Sequence, residues 1–216
     1  MKKYKLIAFD LDGTLTNPEK GLLAGFVYAL DKMNIPRLTA NQLKKYIGPP
    51  LFDAWREDFS LSDSDTERMV RIFREYYNIY GWWDNEIYTG IKEMLEALWQ
   101  SGRILVVATS KPQLIAARVL EHFGLRKYFS TVSGSTPDRK RDTKTQVLDY
   151  ALSAYPEIKR EECILVGDRK YDSFGAKECG IDSLGVLYGH GSDEEINSSG
   201  FSLIASTPRD ITALLI

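Results

Sequence analysis

Two pairs of aspartates stand where the chain could do chemistry. The first pair directly follows the short apolar run 6–9, and the second follows the run 163–166 after Gly167. The four residues are Asp10, Asp12, Asp168 and Asp172. A carboxylate can attack phosphorus to form an aspartyl-phosphate, and carboxylates are also the hard oxygen ligands that Mg²⁺ prefers. The two pairs therefore indicate metal-assisted phosphoryl transfer, with Asp10 as the candidate nucleophile.

Asp10 and Asp12 alternate along an extended chain, so their side chains would diverge on an ideal strand. Gly13 follows them and permits a tight turn. In such a turn Asp12 can swing back towards the same phosphate as Asp10. One carboxylate could then attack while the other moves protons.

Hydroxyl and lysine side chains occupy similar positions in the chain. Thr109 and Ser110 follow the apolar run 104–108, and Lys144 precedes a segment with helical apolar periodicity. A hydroxyl donor and a lysine would stabilise the negative charge on a phosphoryl group during transfer. Lys140 is the competing lysine, and we prefer Lys144 because the apolar-periodic helix begins just after it.

The apolar runs themselves predict the elements that position these residues. Continuous apolar runs of this length are typical of strands buried on both faces of a parallel sheet. Weaker strand candidates lie at 131–132 and 184–187, and helix-like stretches alternate with the runs at 91–99, 114–123, 145–154 and 173–179. The alternation predicts an α/β domain with a mainly parallel sheet, and ligands of such sheets bind beyond the carboxyl ends of the strands.

One long segment, residues 17–83, interrupts this rhythm. It contains no convincing strand run, and apolar residues recur in it at helical spacing. Ser62 or Asp63 is a plausible helix N-cap within it. We therefore expect a core domain made of residues 1–16 and 84–216 and a helical cap domain made of residues 17–83, with hinges near Asn17 and Asp84.

The cap segment is rich in aromatic residues and contains one arginine of interest. The tryptophans and tyrosines are expected mostly to form the core of the cap. They are Trp55, Trp82, Trp83, Tyr76, Tyr77 and Tyr80. Arg56 is a hypothetical contact for a substrate anion.

Composition and charge exclude several other classes of protein. With 216 residues and a formal net charge of -2, the chain offers no global electrostatic reason to bind nucleic acid or an anionic membrane. The basic run 139–141 is short and lacks interleaved aromatic residues, so we interpret it as a solvated loop. No apolar stretch approaches the length of about 20 residues that crosses a bilayer. The expected location is cytoplasmic, with both cysteines reduced, and the oligomeric state cannot be read from the sequence.

The two histidines and a glycine-rich segment receive no functional assignment from the sequence. His122 and His190 lack metal-ligand spacing with other histidines or cysteines. The segment 189–191 has no third glycine at the offset of a dinucleotide loop, so it is expected to be a flexible loop after the last strand.

Taken together, the chemical residues form an ordered series of motifs that resembles the haloacid dehalogenase-like hydrolase superfamily. The motifs are Asp10-Leu11-Asp12-Gly13-Thr14, then Val106-Val107-Ala108-Thr109-Ser110-Lys111-Pro112, then Lys144, then Val166-Gly167-Asp168-Arg169-Lys170-Tyr171-Asp172. Segments 48–51 and 88–91 are similar to the phosphoglycolate phosphatase-like branch with a helical cap. Within that branch the chain looks most like phosphoglycolate phosphatases and 5′-nucleotidases.

The resemblance implies a Rossmann-like core, a Mg²⁺ cofactor, a small phosphate ester as substrate and a role for each motif residue. Asp10 would be nucleophile and metal ligand, and Asp12 would be general acid and base, with its backbone carbonyl on the metal. Thr109 would donate to the phosphate with help from the backbone N–H of Ser110, a position that is often asparagine in this branch. Lys144 would neutralise Asp10 and the phosphate. Asp168 would bind the metal, and Asp172 would hold a metal-bound water or orient its loop.

Other functions use related residue sets. A sugar-phosphate phosphomutase would form the same aspartyl-phosphate and return the phosphoryl group to its substrate. A signalling receiver also combines acidic residues, a phospho-accepting aspartate, a threonine and a lysine, but the long insertion after Asp12 disfavours it. A dehalogenase is disfavoured because carbon–halogen displacement needs no acid at the position of Asp12.

Overall fold

The computed structural model describes residues 4–138 and 140–216 of the chain. Two compact units divide the chain, one made of Met1–Thr16 with Ile87–Ile216 and the other of Asn17–Glu86. The chain passes between them through two short strands, β2 (Thr16–Asn17) and β3 (Glu86–Ile87), which form a separate two-stranded sheet.

A six-stranded sheet forms the centre of the first unit. Its strands are β1 (Leu6–Phe9), β4 (Ile104–Pro112), β5 (Thr131–Ser135), β6 (Cys163–Gly167), β7 (Asp182–Val186) and β8 (Leu203–Ala205). Their order in the sheet is β5-β4-β1-β6-β7-β8, and the paired neighbours run parallel. This arrangement confirms the predicted α/β class with a parallel sheet.

The order of the strands places β1 between the two halves of the sheet. Phe9, the last residue of β1, pairs with Val107 on one side and with Val166 on the other. The chain winds outwards in both directions from this point, so the carboxyl end of β1 lies at the topological switch point where ligands of such sheets bind.

Helices connect the strands of this unit. They are α5 (Ile91–Gln100), α6 (Gln113–His122), α7 (Lys144–Ser153), α8 (Lys170–Glu178), α9 (Asp193–Ser198) and α10 (Pro208–Leu215). All four residues of β1 have no exposed surface, and β6 is buried throughout. Burial on both faces explains why these strands are continuous apolar runs rather than alternating ones.

The segment after β7 differs from the sequence-based expectation. Residues 189–191 lie in a loop as expected, but the strand before them, β7, is not the last strand, because α9, the edge strand β8 and α10 follow. The pattern missed β8 because its apolar run has only three residues, two of them partly or fully exposed, which is shorter than the runs that predict a strand.

The second unit is helical apart from the strand residues at its ends. Its helices are α1 (Glu19–Lys32), α2 (Ala40–Leu43), α3 (Leu51–Asp58) and α4 (Asp63–Tyr76). A π-helical turn at Tyr77–Gly81 follows α4. Ser62 is the N-cap of α4, because its hydroxyl accepts a hydrogen bond from the backbone N–H of Asp65.

Aromatic rings form the core of this unit. The ring of Phe26 lies 5.8 Å from that of Trp55, 6.1 Å from that of Tyr46 and 5.2 Å from that of Phe73. Only 1% of Trp55 is exposed, whereas 56% of Trp83 is exposed. The expectation that the aromatic residues of this segment form its core therefore holds for Trp55 and fails for Trp83.

Among the described residues, no helix combines the length and the apolar character needed to cross a bilayer.

Replacing Trp55 by alanine should destabilise the helical unit strongly. The substitution removes a buried indole from between three aromatic neighbours, and such a change costs about 3–5 kcal/mol in the free energy of unfolding. Urea unfolding followed by circular dichroism measures this loss. The matched control is Trp83→Ala, which should change the free energy by less than about 0.5 kcal/mol because the side chain is exposed. Equal losses for both variants would contradict the aromatic core.

Candidate active site

Three carboxylates meet at the carboxyl ends of β1 and β6. Asp10 follows β1 directly, and its backbone N–H donates to the carbonyl of Val166 in β6 at 2.9 Å. Asp168 follows β6, and Asp172 lies in the first turn of α8. One carboxylate oxygen from each of the three lies within 4.8 Å of the other two. The parallel pairing of β1 with β6 therefore brings together residues that are more than 150 positions apart.

Lys144 joins two of these carboxylates. It is the first residue of α7, where Thr143 caps the helix, and only 7% of it is exposed. Its Nζ lies 2.9 Å from Asp10 Oδ1 and 2.9 Å from Asp172 Oδ1, and it also donates to the carbonyl of Ala108 at 3.1 Å. Burial by itself lowers the pKa of Lys144, but the two carboxylates reverse this effect and raise the pKa above its ordinary value.

Asp168 is fully buried and accepts hydrogen bonds from two sides. The hydroxyl of Thr14 donates to its Oδ1 at 3.2 Å, and the backbone N–H of His190 donates to its Oδ2 at 2.8 Å. Burial raises the pKa of Asp168, and the nearby charges of Asp172 and Asp10 raise it further. The carboxylate therefore lies where a compensating positive charge would be strongly favoured.

Asp172 accepts a backbone hydrogen bond in addition to its ion pair with Lys144. Its Oδ2 accepts from the backbone N–H of Arg169 at 3.0 Å, which closes the start of α8. Burial raises the pKa of Asp172, the ammonium of Lys144 opposes the rise, and the charge of Asp10 adds to it. Asp172 thus caps its helix and also faces the carboxylate cluster.

The turn after Asp10 depends on Gly13. Its φ angle is +84°, a region in which residues with a side chain are strained, and a Cβ here would lie 2.1 Å from Asp168 Oδ2. Asp12 lies in this turn, and its Oδ2 is 2.7 Å from Nζ of Lys111. The other oxygen, Oδ1, is buried and has no hydrogen-bond partner among the described residues.

Thr109, Ser110 and Lys111 lie in β4, where the strand bulges. Ala108 pairs with Ser133 and Pro112 with Ser135, so four steps along β4 match two steps along β5. Thr109 and Lys111 are buried, whereas Ser110 between them is half-exposed. The hydroxyl of Thr109 accepts from the backbone N–H of Lys111 at 3.2 Å.

Lys140 and Arg56 lie in different surroundings from the carboxylate cluster. The side chain of Lys140 is 85% exposed and lies 3.5 Å from Asp138, whereas Lys144 contacts Asp10. Arg56 is also exposed, and its guanidinium lies 3.4 Å from Asp63 within the helical unit.

The sequence analysis missed the loop that follows β7. Backbone atoms of this loop pack against the cluster, because a Cβ at Gly189 would lie 2.3 Å from Asp168 Cβ and the N–H of His190 binds Asp168. The hydroxyl of Tyr188 donates to the carbonyl of Thr14 at 3.0 Å. The sequence assigns no functional role to His190, and its contact with Asp168 is made by the backbone N–H rather than by the imidazole. The only sequence signal was a pair of glycines flanking it, which also occurs in ordinary loops.

The donor set suits a divalent cation. Four carboxylates at this edge face the two ammonium groups of Lys111 and Lys144, so an excess of two negative charges remains when all six groups are ionised. Burial and mutual repulsion already raise the pKa values of Asp168 and Asp172. Hard carboxylate oxygens are the ligands that Mg²⁺ prefers, so the residues fit the metal.

Comparison with known proteins decides the family. The model of the haloacid dehalogenase-like hydrolase family matches residues 7–186, which include the four carboxylates and both buried lysines of the site but not the loop residues 188–190. The chain belongs to this family. The resemblance on which the sequence analysis relied is therefore confirmed.

Several characterised relatives are similar over nearly the whole chain. The chain is 34% identical over 196 residues to a 5′-nucleotidase of Pseudomonas aeruginosa, covering 91% of this chain and 88% of that one. It is 32% identical over 206 residues to a phosphoglycolate phosphatase of Vibrio cholerae, covering 91% and 90%. It is also 34% identical over 200 residues to the tyrosine-protein kinase PtkA of Mycobacterium tuberculosis, covering 93% and 68%.

Solved structures agree with this assignment. A predicted phosphatase from Clostridium acetobutylicum superposes with a TM-score of 0.94 at 36% identity, covering 99% of this chain and 98% of that one. Family, relatives and structure together make this haloacid dehalogenase-like hydrolase a phosphatase that acts on phosphoric monoesters.

Replacing Gly189 by alanine should damage the site without unfolding the protein. The new Cβ would meet Asp168 Cβ at 2.3 Å and the carbonyl of Gly13 at 2.5 Å, so the Asp168 carboxylate must move. A displacement of about 1 Å at a reacting centre can cost on the order of 10²-fold in rate, and we expect kcat/KM for phosphate release to fall by roughly that factor. The control is Gly180→Ala, where a Cβ meets no atom within 4 Å and activity should be retained. Full activity in both variants would contradict the packing role of the loop.

Proposed function

We propose that the protein hydrolyses a small phosphate monoester by transferring its phosphoryl group first to Asp10 and then to water. One observation carries this proposal. Asp10 lies at the switch point of the sheet, it is ion-paired through Oδ1 with a buried lysine, and two further buried carboxylates lie beside it. A nucleophilic carboxylate and a phosphate ester are both negatively charged and repel each other. The ammonium group of the buried lysine is a fixed cation that reduces this repulsion at Asp10.

In the first half-reaction, the Oδ2 atom of Asp10 attacks phosphorus, and the bond from phosphorus to the ester oxygen breaks. Asp12, in its protonated form, donates a proton to the departing oxygen so that an alcohol leaves. Lys144 holds Oδ1 of Asp10 and balances the charge that accumulates beside it, while the Thr109 hydroxyl and the Ser110 backbone N–H bind the phosphoryl oxygens.

In the second half-reaction, Asp12 accepts a proton from water as the water oxygen attacks phosphorus. The bond between phosphorus and Asp10 breaks, which releases inorganic phosphate and restores both aspartates to their starting states. A group that first gives and then takes a proton must stay in place through both steps, so the fixed position of Asp12 matters in each half-reaction.

Asp10, Asp168 and the backbone carbonyl of Asp12 are proposed to hold Mg²⁺, with Asp172 beside them holding a metal-bound water or orienting the loop. When bound, the ion would cancel the repulsion between the phosphate and the carboxylates. Thr14 and the backbone of His190 orient Asp168 for this task, since both donate hydrogen bonds to it.

The proposed substrates are phosphoglycolate-like or nucleotide-like monoesters, the classes named by two of the relatives. The helical unit is proposed to act as a cap that restricts access to the site. A screen of phosphoglycolate, nucleoside monophosphates and sugar phosphates, ranked by kcat/KM, would identify the class. Phosphate release without a bisphosphate activator would favour the phosphatase over a phosphomutase, and a stable phosphoaspartate without turnover would favour a receiver.

Asp10→Asn should abolish phosphate release while the fold is retained, because an amide cannot attack phosphorus. We expect a loss of at least three orders of magnitude in kcat, measured by phosphate release, with unchanged circular dichroism. The control is Asp149→Asn, an exposed carboxylate paired with Arg160, which should keep full activity. Activity of Asp10→Asn within tenfold of the wild type would overturn the assignment of the nucleophile.

Removal of divalent cations by chelation should abolish phosphate release, and added Mg²⁺ should restore it. The physical reason is the excess negative charge at the sheet edge, which would otherwise repel a phosphate dianion. Phosphate release is measured after EDTA treatment and again during titration with Mg²⁺. Activity that is indifferent to EDTA would remove the metal from the proposed mechanism.

A further inference from the structure

Lys111 is a buried ammonium group for which the proposed mechanism gives no role. Its side chain is 3% exposed, and its Nζ lies 2.7 Å from Oδ2 of Asp12, whose own side chain is 19% exposed. Surface ion pairs of lysine are common and worth little, but burial of a lysine is costly unless a specific partner compensates it. The buried ion pair of Lys111 with Asp12 therefore calls for a functional explanation, namely an effect of Lys111 on the carboxyl group of Asp12.

β4 carries Lys111 two residues after Thr109, whose hydroxyl is proposed to bind the phosphate. Both side chains are buried, while Ser110 between them is partly exposed. The strand bulges between Ala108 and Pro112, so the regular alternation of its side chains is interrupted here, as is common next to active sites. The bulged strand thus carries a buried hydroxyl and a buried ammonium group, and the ammonium group reaches Asp12.

The chemistry of the ammonium group bears on which oxygen of Asp12 carries a proton. A protonated lysine has three N–H donors and no acceptor, so the atom that it contacts, Oδ2, must accept. Oδ2 therefore accepts from Lys111 both when Asp12 is ionised and when it is protonated. A proton on Oδ1, the buried oxygen that has no hydrogen-bond partner among the described residues, leaves Oδ2 as the carbonyl oxygen, which is the better acceptor for Lys111. The contact therefore favours Oδ1 as the site of the transferable proton.

We propose that Lys111 is a positioning residue that holds the carboxyl plane of Asp12 and directs its Oδ1 to the reacting oxygen in both half-reactions. The proposal rests on the role of Asp12 proposed above and extends it to a residue outside the acid–base and metal set. Lys111 itself neither gives nor takes a proton, and its task is to keep the proton of Asp12 on one atom.

The test compares two leaving groups in Lys111→Met, which keeps the length of the side chain and removes its donors. Departure of p-nitrophenolate needs little protonation, whereas departure of an alkoxide, as from glycerol phosphate, requires a proton from Asp12. We expect kcat/KM for glycerol phosphate to fall about 10²-fold or more, because general acid catalysis contributes at least that factor. The value for p-nitrophenyl phosphate should fall less than about fivefold, and a burst of p-nitrophenol should appear because the second half-reaction slows.

A double-mutant cycle with Asp12→Asn tests whether Lys111 acts through Asp12 or affects activity independently of it. If Lys111 acts through Asp12, Lys111→Met should cost little further activity on glycerol phosphate once Asp12 is Asn. Full additivity of the two losses would overturn the proposal. An equal loss on both esters with raised KM would also overturn it, because Lys111 would then be binding the phosphate itself.

Two controls keep the result interpretable. Lys140→Met removes an exposed lysine from the loop before α7 and should leave kcat/KM unchanged for both esters. Lys111→Arg retains a cationic donor and should recover part of the activity on glycerol phosphate that Lys111→Met loses. If Lys111→Met does not fold, Lys111→Arg takes its place: its longer head group should shift Asp12 and lower kcat/KM for glycerol phosphate more than for p-nitrophenyl phosphate, and an equal change for both esters would overturn the proposal. Failure of the proposed function is recognised separately, since Asp10→Asn would then retain activity.

Discussion

The ammonium group of Lys144 lies between the carboxylates of Asp10 and Asp172, and this contact makes the rest of the site possible. Three carboxylates whose oxygens come within 4.8 Å of one another repel strongly in a buried environment. A fixed cation at 2.9 Å from two of them allows the strand ends to approach. The same cation pairs with Oδ1 of Asp10, the carboxylate whose other oxygen we propose to accept a phosphoryl group. One interaction therefore stabilises the strand ends and would also orient the proposed nucleophile.

The parallel sheet supplies the geometry for that interaction. Because β1 lies between β4 and β6, the carboxyl ends of these three strands deliver Asp10, Thr109 and Asp168 to one edge. Close packing of backbone then fixes the carboxylates, since Gly13 and Gly189 leave no room for a side chain next to Asp168. At both glycines an added Cβ would collide with Asp168, so a substitution there must displace the carboxylate.

Much of the site could be predicted because its residues follow strands that are visible as continuous apolar runs. Asp10, Asp168 and Thr109 each come directly after such a run or at its end, and the runs correspond to β1, β6 and β4. The loop of Gly189 and His190 could not be predicted, because it contributes backbone atoms, and a backbone N–H leaves no trace in the residue type. Lys111 was visible within its motif, but its burial and its partner depend on a bulge that periodicity does not report.

By itself, the sequence determined the family and the kind of scaffold, and it named the candidate groups for the chemistry. Carboxylates, a hydroxyl and a lysine in ordered motifs after apolar runs specify a haloacid dehalogenase-like hydrolase with a parallel sheet. Tertiary structure decided which charges pair: that Lys144 bridges Asp10 and Asp172, that Lys111 holds Asp12, and that the loop after β7 closes on Asp168. The reason is physical, because pairing depends on distances between residues remote in the chain and on their burial, and only the packed sheet sets these quantities.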